Sequence, residues 1–130
     1  MTRPPLIHYA EACIALLRAR LVLLVTPSHR HFAAKVLGRT ATADERHDIA
    51  RTIAAAARRL PTRALCYEQA LAARMMLKRR GLASRLHFGT GKKDGDLTAH
   101  VWLTSGDHIV VGAEEAARHI ELAASPEPED

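Results

Sequence analysis

The 130-residue chain has 48% hydrophobic residues, 25% charged residues and a formal net charge of +5. This composition is typical of a soluble globular protein, and the length predicts a single domain that buries its core without metal or disulfide support. The basic residues are scattered, with no interleaved aromatic residues and no nucleic-acid-binding motif. We therefore expect solvated helix faces and no nucleic acid partner.

The two cysteines, Cys13 and Cys66, lie in segments of different character and neither has a partner at C-x-x-C spacing. This excludes a zinc-ribbon or thioredoxin-type interpretation and favours reduced thiols in a cytoplasmic protein without metal or organic cofactor. Residues 13–25 are apolar, but they are too few to span a bilayer and are interrupted by Arg18 and Arg20. We interpret them as a core or partner-facing helix and do not expect membrane association.

The sequence predicts an α+β fold in which N-terminal helices precede a small antiparallel sheet. Apolar spacing and breakers predict helices over residues 7–25, 29–37 and from Thr42 or Asp44 to residue 59, so that residues 1–59 form a helical part. A helix from Cys66 to Arg80, ended by Gly81, then opens a core over residues 60–122.

Strands are expected over residues 83–88, 98–103 and 108–111, where apolar and polar residues alternate. Residues 89–96 are predicted to form a polar turn region between the first two strands, and we interpret Gly89, Thr90 and Gly91 within it as a flexible loop. A terminal helix is expected over residues 113–122, with residues 123–130 as a frayed acidic tail.

Cys66 and His100 are the candidate catalytic pair. A thiol at a helix start meets unpaired N–H groups and the positive end of the helix dipole, which favour a thiolate nucleophile. His100 begins a strand that follows this helix, and a general base beside the thiol is what thiol catalysis requires. The alternative for each residue alone is a packed core side chain.

Trp102 should lie on the same strand face as His100, where it either shields the imidazole, lines a substrate groove or packs in the core. The other histidines are expected at the surface, with His87 pointing outward from its strand and His108 at a hairpin turn. Trp102 and Gln69 are the candidate substrate-binding residues.

Three motifs carry a resemblance to a known family: CYEQAL from Cys66, LKRRGLASRLHFG from Leu77 and AHVWL from Ala99. Their order and spacing resemble those of the transglutaminase-like leader peptidase of lasso-peptide biosynthesis, whose members carry a cysteine-led helix, a turn into a strand and a His-Ala-Trp strand. The resemblance covers about residues 60–122. Residues 1–59 match only in being helical.

This resemblance implies a cysteine peptidase that removes the leader from a ribosomally made precursor. A separate leader-binding protein would present that precursor, and an ATP-dependent lasso cyclase would then close the ring. By the same resemblance, Cys66 would be the nucleophile and His100 the base. Where the family has an acidic third residue, this chain has Val111, Gly112 and Ala113.

Hairpin geometry suggests a candidate for the third position. A tight turn at Ser105 and Gly106 would bring Val111 opposite His100 and leave Asp107 at the far tip, too remote to orient the imidazole. Glu114 is then the nearest acid, and we predict that either Glu114 or a backbone carbonyl near Gly112 orients His100. The alternative is that Glu114 only opens the terminal helix.

The sequence is also compatible with two other functions. The same fold could serve as a non-catalytic scaffold that binds precursor and cyclase, with the degraded third position reflecting lost chemistry. The same thiol could also act in an acyltransferase or amidase on a different substrate. Reactivity of Cys66 toward an alkylating reagent separates a nucleophile from a buried structural thiol.

Overall fold

The computed structural model describes residues 6–26, 30, 36–59, 66–112 and 120–124. Within these ranges the helices are α1 (Leu6–Val25), α2 (Ala43–Arg59) and α3 (Cys66–Arg79). The strands are β1 (Arg85–Lys93), β2 (Asp96–Ser105), β3 (His108–Val111) and β4 (Ile120–Ala124). The predicted α+β architecture, with N-terminal helices ahead of an antiparallel sheet, is confirmed.

The helix boundaries follow capping signals in the sequence. Thr42 precedes α2 and forms a capping box with Glu45: the Glu45 N–H donates to Thr42 Oγ1 at 3.2 Å, and the Thr42 N–H donates to Glu45 Oε1 at 2.9 Å. At the end of α3, Gly81 has φ of 72°. Its N–H donates to the Lys78 carbonyl, while the Leu82 N–H donates to the Leu77 carbonyl. This is a Schellman motif, and it explains why the helix stops there.

The helix predicted over residues 29–37 lies largely outside the described residues, but its predicted end is wrong. Val36 forms a bridge with Ser84, whose N–H donates to the Val36 carbonyl at 3.4 Å. Gly38 then passes directly over the backbone of Gly81, where a Cβ would collide with the Gly81 carbonyl oxygen. The close approach of these two backbones therefore requires glycine at position 38.

β1 and β2 form a long hairpin joined by Asp94 and Gly95. Both turn residues have positive φ, 52° and 85°, as a type I′ turn requires. Residues 89–93 thus belong to β1, and the prediction of a flexible loop at Gly89, Thr90 and Gly91 was wrong, whereas the turn expected within residues 89–96 is confirmed at Asp94 and Gly95. The glycines at 89 and 91 lowered the strand signal, while the Asp-Gly turn that extends both strands was overlooked.

The sheet formed by the described strands has the order β3-β2-β1-β4, with all of its pairs antiparallel. β4 pairs with β1 where the C-terminal part of a helix was predicted, so the prediction of a helix through residue 122 was wrong, as was a frayed tail from residue 123. Pairing with the open edge of β1 outweighs the local helical preference of this segment. Residues 113–119 lie outside the described part of the chain.

α3 occupies the centre of the fold, in contact with α1, α2, β2 and β3. The central position of α3 depends on small residues. Ala70, Ala72 and Ala73 are fully buried and let the neighbouring elements approach from several sides. Larger buried side chains, including Met76 and Leu77, complete a single core cluster shared with the sheet. The helix that begins at Cys66 is therefore held rigidly by packing along its length.

Candidate active site

Cys66 is the first residue of α3, and its side chain is half-buried. At this position the sulfur lies near backbone N–H groups that have no partner within the helix, and near the positive end of the helix dipole. Because α3 is packed on several sides, this end of the helix is fixed relative to the sheet. The placement of a thiol at a rigid helix start, predicted from sequence, is confirmed.

Two side chains in the first turns of α3 flank the thiol position. Gln69 is half-buried and three residues from Cys66, so the two are neighbours on one helix face. Glu68 is 9% exposed and supplies the acidic residue that suits a helix N-terminus. Gln69 is placed where it can contact a substrate bound at Cys66, and that role stays a prediction.

Further along α3, burial lowers the pKa of Arg74, while the electrostatic influence of Tyr67 acts in the opposite direction. Arg74 keeps its charge at neutral pH in spite of this shift, because arginine titrates far above that range. A positive charge therefore lies on α3, about two turns beyond Cys66. Within the described ranges, the His, Cys, Asp and Glu side chains include no group of three placed to hold a metal ion.

His100 lies within β2 and is partly exposed. Its partner across the hairpin is Gly89. Directly paired residues in an antiparallel sheet share a face, so the missing side chain at Gly89 leaves room beside the imidazole. Gly91, opposite Thr98, extends this strip of bare backbone along β1. Glycines within a strand often mark a place where a ligand or a second backbone comes close.

The face of the sheet that carries His100 differs from the face that packs into the core. Val101 and Leu103 belong to the core cluster together with side chains of the helices. Since side chains alternate along a strand, His100 and Trp102 project to the other face. Alternation alone thus does not bring the imidazole to the thiol, and the pairing of Cys66 with His100 stays a prediction.

Trp102 is 6% exposed and belongs to a cluster that the sequence did not reveal. Its ring stacks on His87, with centroids 5.6 Å apart and planes 5° apart. The His87 Nε2 atom lies 2.8 Å from Thr104 Oγ1. His87 is only 9% exposed, so the prediction that it points outward into solvent was wrong. The burial of Trp102 leaves little of its ring for a substrate, and its predicted binding role remains untested.

The cluster has a sequence signal that could have revealed it. A two-residue turn at Asp94 and Gly95 pairs Lys93 with Asp96, and counting back places His87 opposite Trp102 and Gly89 opposite His100, as observed. The Asp-Gly dipeptide is therefore sufficient to fix which residues lie beside the candidate base.

The register predicted for β3 was wrong. The turn falls at Gly106 and Asp107, Ser105 pairs with His108, and an irregularity then aligns Val111 with Leu103. Val111 therefore does not lie opposite His100.

The conclusion drawn for Asp107 nevertheless stands. His100 precedes the end of β2 by five residues, or about 16 Å, and Asp107 lies beyond that end. Gly112 lies against Trp102, since a Cβ on it would be 2.6 Å from the Trp102 Cβ. Glu114, two residues further, lies outside the described residues, and its proposed role as third catalytic residue stays a prediction.

The helices of the described ranges do not combine the length and the apolar composition needed to cross a bilayer. A search of curated proteins and a search of solved structures each find no match. A family model described as Transglutaminase-like superfamily matches residues 12–123. Cys66, His100 and strands β1 to β3 fall inside the matched region, and β4 does so except for its last residue. The match takes in most of the 130 residues, and the chain belongs to the transglutaminase-like superfamily.

Proposed function

We propose that this protein is a cysteine peptidase that removes the leader peptide from a lasso-peptide precursor. The observation that carries the proposal is the position of Cys66, a half-buried thiol at the first residue of a helix packed against the strand of His100. The superfamily includes cysteine peptidases and acyltransferases, which share a thiol nucleophile. The choice of a lasso precursor rests on the resemblance of the three motifs that begin at Cys66, Leu77 and Ala99.

In the proposed reaction, the Cys66 thiolate attacks the carbonyl carbon of the last leader residue. Backbone N–H groups at the start of α3 stabilise the oxyanion that forms. His100, having taken the thiol proton, delivers it to the amine of the core peptide as the C–N bond breaks. A thioester then joins the leader to Cys66, and water releases the leader acid and regenerates the thiol. The freed amine is the group that a lasso cyclase would use.

The strip of bare backbone at Gly89 and Gly91 supports a peptide as the substrate. Next to His100, this part of β1 lacks side chains that would hold an incoming chain away. An extended peptide lying there would have its scissile bond beside the imidazole. We expect the precursor to be delivered by a leader-binding protein, and the cyclase to act after cleavage.

The test is leader release from a purified precursor in the presence of its leader-binding protein, followed by mass spectrometry. Cys66→Ala should abolish release, while Cys13→Ala, at the only other cysteine of the chain, should keep a rate near wild type. Cleavage by Cys66→Ala within a few-fold of wild type would refute the proposal.

His100→Ala should lose about 10²- to 10⁴-fold in rate, the usual value of general-base assistance. The matched control is His108→Ala, since His108 lies in the same sheet and is exposed. His87 is unsuitable as a control because it is buried against Trp102. Equal losses for His100→Ala and His108→Ala would remove the reason for assigning the base to His100.

An acyltransferase would form the same thioester but pass the acyl group to an amine. The product distinguishes the two activities: a free leader acid indicates a peptidase, whereas an amide joining the leader to an added amine indicates a transferase. A non-catalytic scaffold predicts neither product, together with alkylation of Cys66 no faster than that of Cys13.

A further inference from the structure

The two sides of α1 differ in a way that is unusual for a helix at the edge of a core. The side that faces α2 and α3 carries mainly small residues, with Ala12, Ala15 and Ala19 buried beside Leu16. Large apolar side chains lie on the opposite side and are 52–82% exposed: Leu6, Ile7, Ile14, Leu17, Leu21, Leu24 and Val25. Apolar surface of this extent on a soluble domain usually marks an interaction site.

The exposed residues follow a heptad pattern. Ile7, Ala10, Ile14, Leu17, Leu21 and Leu24 are separated by three, four, three, four and three residues, the spacing of the a and d positions of a coiled coil. All six are exposed, and we refer to them as the α1 seam. A repeat of 3.5 residues suits packing against another helix more specifically than it suits a flat or irregular surface.

The α1 seam is also sterically accessible. At 100° per residue, its centre lies on the side of the helix opposite the buried stripe of Ala12, Ala15, Leu16 and Ala19. A second helix laid along the α1 seam would therefore not meet α2 or α3. The seam extends almost the whole length of α1, which at 20 residues is about 30 Å.

We propose that the α1 seam is a homodimer interface in which two copies of α1 pack antiparallel about a two-fold axis. The axis passes through the middle of Leu6–Val25, between Ala15 and Leu16. Ile7 then packs against Leu24 of the second copy, Ala10 against its Leu21 and Ile14 against its Leu17. All six positions of the seam are used, each twice.

The residue sizes favour this orientation over a parallel one. A parallel, in-register pair would place Ala10 against Ala10 and leave a gap toward one end of the interface, where packing is lost. The antiparallel pair instead matches the small Ala10 with the large Leu21 at two places.

The residues flanking the seam agree with the same orientation. Antiparallel packing puts Glu11 near Arg18 of the second copy, a pair of opposite charges. Glu11 is already held by Arg80, with Nη2 to Oε1 at 2.7 Å, and more loosely by Arg79. The hydrophobic seam, and not this ion pair, therefore supplies most of the attraction, and Glu11 mainly selects the orientation.

The experiment is sedimentation velocity of the full chain from about 1 to 300 µM. Fewer than three heptads predict a modest dimer, with a Kd on the order of 10 µM. Leu21→Gln removes two buried leucines per dimer and should raise the Kd about a hundredfold or more. The matched control is Leu97→Gln, at a leucine of β2 that is also 75% exposed but lies outside the seam. Its Kd should equal that of wild type.

Orientation is tested by oxidation of chains that lack Cys13 and Cys66 and carry either Ile7→Cys or Leu24→Cys. These two positions meet in the antiparallel pair, whereas each lies about 25 Å along the axis from its own copy. The antiparallel dimer predicts disulfides only in a mixture of the two chains, whereas a parallel dimer predicts that each chain cross-links with itself. Self-cross-linking of the separate chains would overturn the proposed arrangement.

Far-UV circular dichroism should be unchanged in Leu21→Gln, because the side chain is already exposed in the isolated protein. Three results would overturn the homodimer: a wild-type chain that stays monomeric at 300 µM, a dimer that Leu21→Gln does not weaken, or a monomer in which Leu21→Gln only abolishes binding of a leader-binding protein or of lipid vesicles. Catalysis by Cys66 does not enter these measurements, so the two proposals fail independently.

Discussion

Ser105→Ala should destabilise the protein far more than the loss of one hydroxyl group suggests. Ser105 is fully buried at the end of β2, where its Oγ accepts the Ala41 N–H at 2.9 Å and donates to the Ala83 carbonyl at 2.6 Å. Ala41 and Ala83 are themselves only 2% and 5% exposed. The substitution therefore leaves a buried donor and a buried acceptor without partners.

Each of the two unsatisfied buried groups costs about 1–3 kcal/mol, so the free energy of unfolding should fall by roughly 2–6 kcal/mol. At about 4 °C per kcal/mol for a chain of this length, the Tm should fall by roughly 8–24 °C. Urea unfolding followed by circular dichroism measures the change in free energy directly.

The matched control is Ser84→Ala. Ser84 is 3% exposed, and among the described residues its Oγ has no hydrogen-bond partner, so removing the hydroxyl should be neutral or slightly stabilising. Free energies of unfolding for Ser105→Ala and Ser84→Ala that agree within about 0.5 kcal/mol would refute the assignment of Ser105 as the link between Ala41, Ala83 and β2.

Three other predictions test separate features of the fold. Gly112→Ala should lower the free energy of unfolding by about 2–4 kcal/mol, because φ is 89° and the new Cβ would collide with Trp102. Gly95→Ala, at φ 85° but with open space around it, should lower it by only about 1 kcal/mol, and urea unfolding measures both changes. His87→Phe should keep the ring stacked on Trp102 and lower the free energy of unfolding by about 1 kcal/mol, because the hydrogen bond to Thr104 is lost. Loss of the near-UV circular dichroism signal in this variant would contradict the assigned packing. Hydrogen bonds from Arg39 and from the Thr42 N–H lower the pKa of Glu45 to about 2, from an ordinary 4.5. Its ionised form therefore stabilises the fold above pH 4.5 and loses this effect as the pH falls toward 2, so the stability difference between wild type and Glu45→Gln should shrink across that interval and not above it.

The helical half of the fold could be predicted because its signals are local. Thr42 and Glu45 form a capping box that is visible as T-x-x-E in the sequence, and Gly81 ends α3 by adopting positive φ. Neither feature depends on residues distant in the chain. The basic residues Lys78, Arg79 and Arg80 ahead of Gly81 are a signal of the same kind for the end of α3.

The sheet was predicted less well because pairing between distant segments decided it. Residues 120–124 have a composition that suits a helix, yet they form β4 against β1. The irregularity between Leu103 and Thr104 shifts the pairing of β3 with β2 by one residue, and no local sequence pattern predicts this shift. His87 was misplaced for a related reason: it was assigned to solvent from its own strand alone, whereas Trp102 and Thr104, on the paired strand, enclose it.

The turn at Asp94 and Gly95 connects the sequence to the candidate chemistry. Because side chains alternate with a period of two, this turn places His100 over bare Gly89 and sends Val101 into the core. A turn longer by one residue, with β1 kept in place, would reverse the two faces of β2, burying His100 among apolar side chains and exposing Val101. Core packing thus opposes any slip of the hairpin, and the same hydrophobic contacts that stabilise the sheet keep the imidazole on the face with the strip of bare backbone. The register of the hairpin therefore sets the face on which the proposed base lies, which is why a dipeptide six residues before His100 and five after Gly89 bears on function.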